Sequence, residues 1–197
     1  MFTGIVEAVG HVRKIEKEEK NIHFWIEAPF VDELKIDQSV AHNGVCLTVV
    51  DFKDNLYKVT AIDETLSKTN LARWQINDLV NLERCMPLNA RLDGHIVQGH
   101  VDQIGQLINI EEQQGSFLLT IAYDEEKSGN VTVEKGSICL NGISLTVVNS
   151  KIGEFSVAII PYTWEFTNLH QLNLGDELNL EFDIVGKYIK RLIPNIN

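Results

Sequence analysis

Apolar positions in this chain recur every second residue, in short runs. HVRKI (11–15), IHFWIEA (22–28), YKVTAI (57–62) and VNLE (80–83) are such runs in the first half. QLINI (106–110), FLLTIAY (117–123), FSVAII (155–160) and LNLEFDI (178–184) are their counterparts in the second. Runs of this length, rich in Val, Ile, Thr and aromatic residues, read as half-buried strands. Turn residues at 53–55, 114–115 and 152–153 separate them. Many short strands at regular spacing predict a barrel or sandwich, and closure into a barrel hides strand edges. Three stretches read as helix instead: 64–71, 162–169 and 183–193. The last places Ile184, Val185, Tyr188, Ile189 and Leu192 on one face. Such a face needs a partner, either another copy of the chain or its own barrel.

The pattern is written twice. SVAHNGVCLTVV at 39–50 returns as SICLNGISLTVV at 137–148, 98 residues on. ETLSKTNL at 64–71 returns as YTWEFTNL, and NDLVNLE at 77–83 as GDELNLE, at the same spacing. GIVEAVG at 4–10 matches GHVDQIG at 99–105 at a spacing of 95, so the copies differ by three residues in between. A repeat this long is a whole domain. The expected fold is all-β: two tandem homologous six-stranded Greek-key barrels plus a C-terminal α-helix. The turn-rich MPLNARLDG at 86–94 marks the link. The expected divisions are 1–88, 89–186 and a helix at 187–197.

Charge and cysteines narrow the function. Lys and Arg number 17 against 28 Asp and Glu, a net charge of −11. That disfavours nucleic acid and anionic membrane surfaces, and leaves an uncharged or weakly acidic small molecule open as a partner. Cys46, Cys85 and Cys139 form neither a disulfide framework nor a zinc pattern. Reduced thiols suggest a cytoplasmic setting. The start lacks the features of a signal peptide, and no apolar run approaches a membrane span of roughly 20 residues.

Shared residues indicate where a pocket would lie. Cys46 and Thr48, and their sisters Ser144 and Thr146, sit two apart in a strand and so share a face. They could equally fill a barrel wall. Unshared residues indicate chemistry. Cys46 faces Ser144 across the repeat, Ile5 faces His100, Asp37 faces Lys135, His42 faces Leu140, and Asp63 with Glu64 faces Pro161 with Tyr162. A binding module merely duplicated needs no such swaps, whereas a site giving two similar molecules unequal roles does. His95 and His100, in GHIVQGH, suit proton transfer near neutral pH or structural hydrogen bonds. Their spacing matches no helical metal pair, so no metal is expected. Cys46 reads as a nucleophile or as a buried apolar thiol.

MFTGIVE, SVAHNGVCLTV, ETL-x-x-TNL, GHIVQGHVD, KGSICLNGISLTVV, IPYT and FDIVGKYIKRL together resemble the riboflavin synthase family along the whole length. The resemblance implies a homotrimer of double barrels. It implies an enzyme that moves a four-carbon unit between two molecules of 6,7-dimethyl-8-ribityllumazine, giving riboflavin and 5-amino-6-ribitylamino-uracil without any cofactor. It places the pocket where the N-terminal barrel of one subunit faces the C-terminal barrel of the next. In the first copy it assigns ligand contacts to Gly4, Ile5, Val6, Cys46, Leu47, Thr48, Thr60, Ala61, Ile62, Asp63, Glu64 and Thr65, with Phe2 and Ser39 as further pocket positions. In the second it assigns Gly99, His100, Val101, Lys135, Ser144, Leu145, Thr146, Ala158, Ile159, Ile160, Pro161, Tyr162 and Thr163. His100, Ser144 and Cys46 are its expected proton-handling groups, with His95 and Asp183 in support. Asp63, Asp93 and Tyr162 depart from the family's common residues beside the pocket. The alternative is a non-catalytic antenna of the same fold, akin to lumazine protein, whose second copy lacks the paired histidines kept here. A reductase-type flavin barrel finds no support, since no GxGxxG follows any strand of this chain.

Overall fold

Residues 1–193, those described by this computed structural model, form two closed antiparallel barrels. The first contains β1 (Ala8–Glu18), β2 (Asn21–Glu27), β3 (Ser39–His42), β4 (Val45–Lys53), β5 (Leu56–Ala61) and β6 (Leu79–Arg84). Around its wall they run β1-β2-β5-β4-β3-β6. The second contains β7 (Gln103–Gln113), β8 (Ser116–Ala122), β9 (Ser137–Leu140), β10 (Ile143–Lys151), β11 (Glu154–Ile159) and β12 (Glu177–Phe182), in the equivalent order. Each strand starts and ends 95 or 98 residues after its counterpart, so the repeat holds residue by residue. Val40, Leu47, Val49, Val59, Val80 and Leu82 fill the first barrel, and Ile138, Leu140, Val147, Val157, Leu178 and Leu180 the second. Their neighbours along each strand face outward, as the alternating pattern requires.

The two expected internal helices are each broken. α1 (Asp63–Lys68) is followed by a separate 3₁₀ turn, Asn70–Arg73, with Thr69 extended between them. The Thr69 hydroxyl donates to the Thr65 carbonyl at 2.7 Å and accepts from the Leu71 amide at 3.4 Å, ending one turn and capping the next. α2 (Glu125–Ser128), absent from the sequence reading, occupies the longer β8–β9 connection, where the three extra residues lie. α3 (Pro161–Glu165) and the turn Asn168–Gln171 repeat the break at Thr167. α4 (Ile184–Leu192) falls within the stretch 183–193 read as helix and starts ahead of the division at 187, and the Asp183 carboxylate caps it by accepting from the Val185 amide at 3.0 Å. Positions 194–197 of the expected helix lie outside the described residues.

The barrels meet along a pseudo-twofold axis. Asn43 (φ 46°) with Gly44 (φ 79°), and Asn141 (φ 45°) with Gly142 (φ 80°), make two-residue hairpin turns. The turns touch: a Cβ on Gly44 would lie 2.8 Å from the Gly142 nitrogen. Asn81 donates its side-chain amide to the Asn141 carbonyl, and Asn179 to the Asn43 carbonyl, both at 3.0 Å. Outward polar positions of β6 and β12 are thus buried against the opposite half and hydrogen-bonded there.

Inside the first barrel, His42 Nε2 stands 2.7 Å from the Tyr57 hydroxyl, and Nδ1 2.9 Å from the Val40 carbonyl. The carbonyl can only accept, so Nδ1 carries the proton and Nε2 accepts from Tyr57. Burial holds the imidazole down to about 4. The sister positions are Leu140 and Phe155, so the polar pair is replaced as a pair. His42→Leu or Tyr57→Phe alone orphans a buried group and should cost about 1–3 kcal/mol. The double variant should cost at least about 1 kcal/mol less than the sum in urea unfolding; additive losses would contradict the coupling. Because the folded pKa is depressed, the His42 contribution is complete above about pH 6.5 and falls away towards pH 4. The double variant should lose that component of acid destabilisation.

Candidate functional site

Two outward grooves share one construction. Strand pairing between β4 and β5 ends at Val49–Val59, and between β10 and β11 at Val147–Val157. Beyond these points the strands splay, and backbone groups at Thr48 and Thr146 lose their strand partner on that side. The gaps coincide with the positions expected to bind the ligand: 46–48 with 60–65, and 144–146 with 158–163. Splayed edges of this kind offer unpaired N–H and C=O groups to a heterocycle.

Side-chain directions divide the expected residues. Cys46, Thr48, Ser144 and Thr146 face outward into the gaps, half-buried or exposed. Ile62, Asp63, Glu64, Ala158, Ile160, Pro161 and Tyr162 are exposed, and Thr60, Thr65 and Thr163 half-buried. Leu47, Ala61 and Ile159 are buried in the barrels and Leu145 packs against the second core, so only their backbones can serve a groove. Phe2 faces neither groove. It is buried between the barrels with Ala41, Val97 and Cys139, and Cys46 packs against this cluster. Ser39 is half-buried opposite Thr48. Lys135 holds a left-handed φ of 63° and donates its amide to the Val147 carbonyl at 3.0 Å, near the Thr146 end of its groove.

The grouping expected by copy is exchanged. Segments 1–7 and 96–102 cross at the axis, where Phe2 and Val97 pair through two backbone hydrogen bonds. Beyond the crossing, the Ser144 amide donates to the Gly4 carbonyl at 2.7 Å, and the Cys46 amide to the Gly99 carbonyl at 2.9 Å. Val6 packs against the second core and Val101 against the first. Gly4, Ile5 and Val6 therefore complete the groove of the second barrel, and Gly99, His100 and Val101 that of the first. Both arms lie flat on the strands they reach. A Cβ on Gly99 would stand 2.5 Å from the Cys46 Cβ, and one on Gly4 2.7 Å from the Ser144 Cβ.

The two histidines part in consequence. His100 follows Gly99 to the Cys46 groove, where its side chain is exposed. His95 stays with the second barrel, its Nδ1 2.6 Å from Ser144 Oγ. Burial pushes the His95 imidazole down, and the nearby Asp183 carboxylate acts against that. A mostly neutral imidazole on a serine hydroxyl can take or return one proton. Cys46 differs: burial pushes its thiol up, with the Ser39 hydroxyl pulling back, so it is a protonated thiol at neutral pH. The second groove encloses about 510 Å³ between Ile5, Val6, Ser144, Tyr162, Thr163 and Phe166.

Two carboxylates went unrecognised in the sequence. Glu83, on β6, accepts the Thr3 amide at 2.6 Å, the Thr3 hydroxyl at 2.7 Å and the Gly4 amide at 2.9 Å. Its sister Glu181, on β12, accepts the amides of Gln98 at 2.6 Å and of Gly99 and His100 at 2.9 Å each. Burial pushes both carboxyls up, and the amide donors pull them back. Their signal was the recurring NLE in both copies, a carboxylate on the strand face opposite the core.

Sequence comparison places this architecture. The lumazine binding domain family matches residues 3–85 and again 98–183. Riboflavin synthase of Actinobacillus pleuropneumoniae is 42% identical over 194 residues, 98% of this chain and 90% of that one. Riboflavin synthase of Mycobacterium tuberculosis is 41% identical over 200 residues, 98% of each. That of Bacillus subtilis is 33% identical over 198 residues, covering 100% of this chain and 92% of its own. The chain belongs to the riboflavin synthase family, with two lumazine-binding domains in tandem. Two solved structures share the fold. LumP complexed with 6,7-dimethyl-8-(1'-D-ribityl) lumazine superposes with a TM-score of 0.83 at 22% identity, covering 92% of this chain and 98% of that chain. LumP complexed with riboflavin superposes with a TM-score of 0.84 at 23% identity, covering 92% and 99%.

The electrostatics of His95 give a direct check. In an NMR titration its imidazole should titrate below the ordinary value of about 6.5. Asp183→Asn, which keeps a capping side chain, should move it lower still, because the carboxylate supports the charged form. A value at or above 6.5, or an upward shift in the variant, would contradict this geometry.

Proposed function

We propose that the protein is a riboflavin synthase. It moves a four-carbon unit between two molecules of 6,7-dimethyl-8-ribityllumazine, yielding riboflavin and 5-amino-6-ribitylamino-uracil. The observation that carries this reading is the pair of sister grooves with unequal reactive groups. Identical substrates suit related grooves, and Ser144 with His95 in one and Cys46 with His100 in the other suit unequal fates. Membership of the riboflavin synthase family supports the same reaction. Holding two ring systems in contact lowers the barrier by proximity, up to about 7–11 kcal/mol in favourable cases.

The working unit is a homotrimer. Ile5, Thr48, His100, Thr146 and Tyr162 are exposed in the single chain, so each groove needs a facing surface. α4 adds exposed Val185, Tyr188, Ile189 and Leu192. Lys187 ties it to Asp102 at 2.7 Å, and Lys190 to the Gly129 carbonyl at 2.6 Å, leaving that apolar face for a neighbouring subunit. The division of the chain at residue 88 belongs to the same reading. Among the described residues no helix is long and apolar enough to cross a membrane.

Purified protein given 6,7-dimethyl-8-ribityllumazine alone should form riboflavin, read by its absorbance. Ser144→Ala should lower kcat about 10²-fold with little change in KM, as the loss of a proton-transfer partner does. Binding without turnover in the wild type would favour the antenna reading. Equal losses in kcat and affinity for the variant would make Ser144 a binding group only.

A further inference from the structure

Glu83 and Glu181 are nearly buried, at 8% and 2% exposure, and neither lines the Ser144 groove, while Glu83 borders a separate cavity with Thr3, Ile5 and Ser39. Each is hydrogen-bonded to the arm of its own half, and each arm ends on the reactive strand of the other half. The peptide group joining Gly99 and His100 is gripped at both ends. Its N–H donates to Glu181, and its carbonyl accepts from the Cys46 amide. The peptide joining Gly4 and Ile5 is held less directly. Its N–H donates to the Thr3 hydroxyl at 3.2 Å, that hydroxyl donates to Glu83, and its carbonyl accepts from the Ser144 amide. The position equivalent to Thr3 is Gln98, so the hydroxyl relay exists in one half alone.

A charge-assisted bond at one end of a peptide polarises and orients the carbonyl at the other. We propose that Glu83 and Glu181 are positioning residues that act across the axis: Glu181 sets the Cys46 groove of the first barrel, and Glu83, through Thr3, sets the Ser144 groove of the second. The exchange wires each groove to a carboxylate in the opposite half, so the grooves are tuned separately, one directly and one through a hydroxyl. This assignment deepens the proposed function, since it rests on reading the two grooves as the ligand sites.

Glu83→Gln and Glu181→Gln keep the side-chain volume but put an amide donor among N–H donors. Hydrogen exchange followed by mass spectrometry reads each strand without any turnover. In Glu181→Gln, the peptide containing Cys46 should exchange about tenfold faster or more, while the peptide containing Ser144 changes little. In Glu83→Gln the pattern should reverse. Thr3→Val should loosen the Ser144 peptide alone, and Thr3→Ser should restore it, which keeps the test available if a carboxylate variant fails to fold. kcat should fall in both Gln variants. Loosening confined to each variant's own half, or equal loosening of both strands, would overturn the proposal. The expected exchange pattern in a protein without lumazine turnover would leave the positioning intact and sink only the catalytic reading.

Discussion

Two backbone hydrogen bonds, from Ser144 to Gly4 and from Cys46 to Gly99, determine what the rest of the molecule can be. Each joins a strand of one half to the arm of the other. Without them the barrels would still meet through the Asn81 and Asn179 contacts, but with incomplete grooves. With them, neither half owns a complete groove. The glycines at both acceptors follow directly, since any side chain there would collide with the strand beneath. So do the buried carboxylates, because an arm crossing between two barrels carries amide groups out of water, and each must find an acceptor.

The same arrangement explains the polar interface. Strand alternation puts Asn81, Glu83, Asn179 and Glu181 on the outside of their barrels, yet all four are buried. Ordinary barrels cover such a face with water. Here each barrel covers the other, and side-chain amides on backbone carbonyls make a polar contact that works only in one registration. Such directional bonding suits a molecule whose chemistry depends on where two arms end.

Much of the fold was legible because it is local or periodic. Alternation marked the strands, the repeat marked the halves, and every strand kept the sequence register. The helix break at Thr69 was missed because a hydroxyl competing for backbone groups leaves no trace in apolar spacing. The exchange of arms was missed for a deeper reason. Residues 4 and 144 carry no mutual signal in one sequence, and homology within the chain pointed to the wrong partner, since it pairs segments by ancestry and not by contact. His95 and His100 look like one constellation along the chain. Gly99, with a φ of 80°, turns the backbone between them, and they serve different grooves. Ser144 and Cys46 were legible as candidates because their swap interrupts the closely kept GVCLTVV and GISLTVV.

The central claim is that each groove is completed by the opposite half of the chain. A crystal structure of the protein with riboflavin bound tests it most directly. A flavin lying on Cys46 and Thr48 should be touched by His100 and Val101, and one lying on Ser144 and Thr146 by Gly4, Ile5 and Val6. A flavin on Cys46 in contact with Ile5, or one bound away from both splayed edges, would contradict the account.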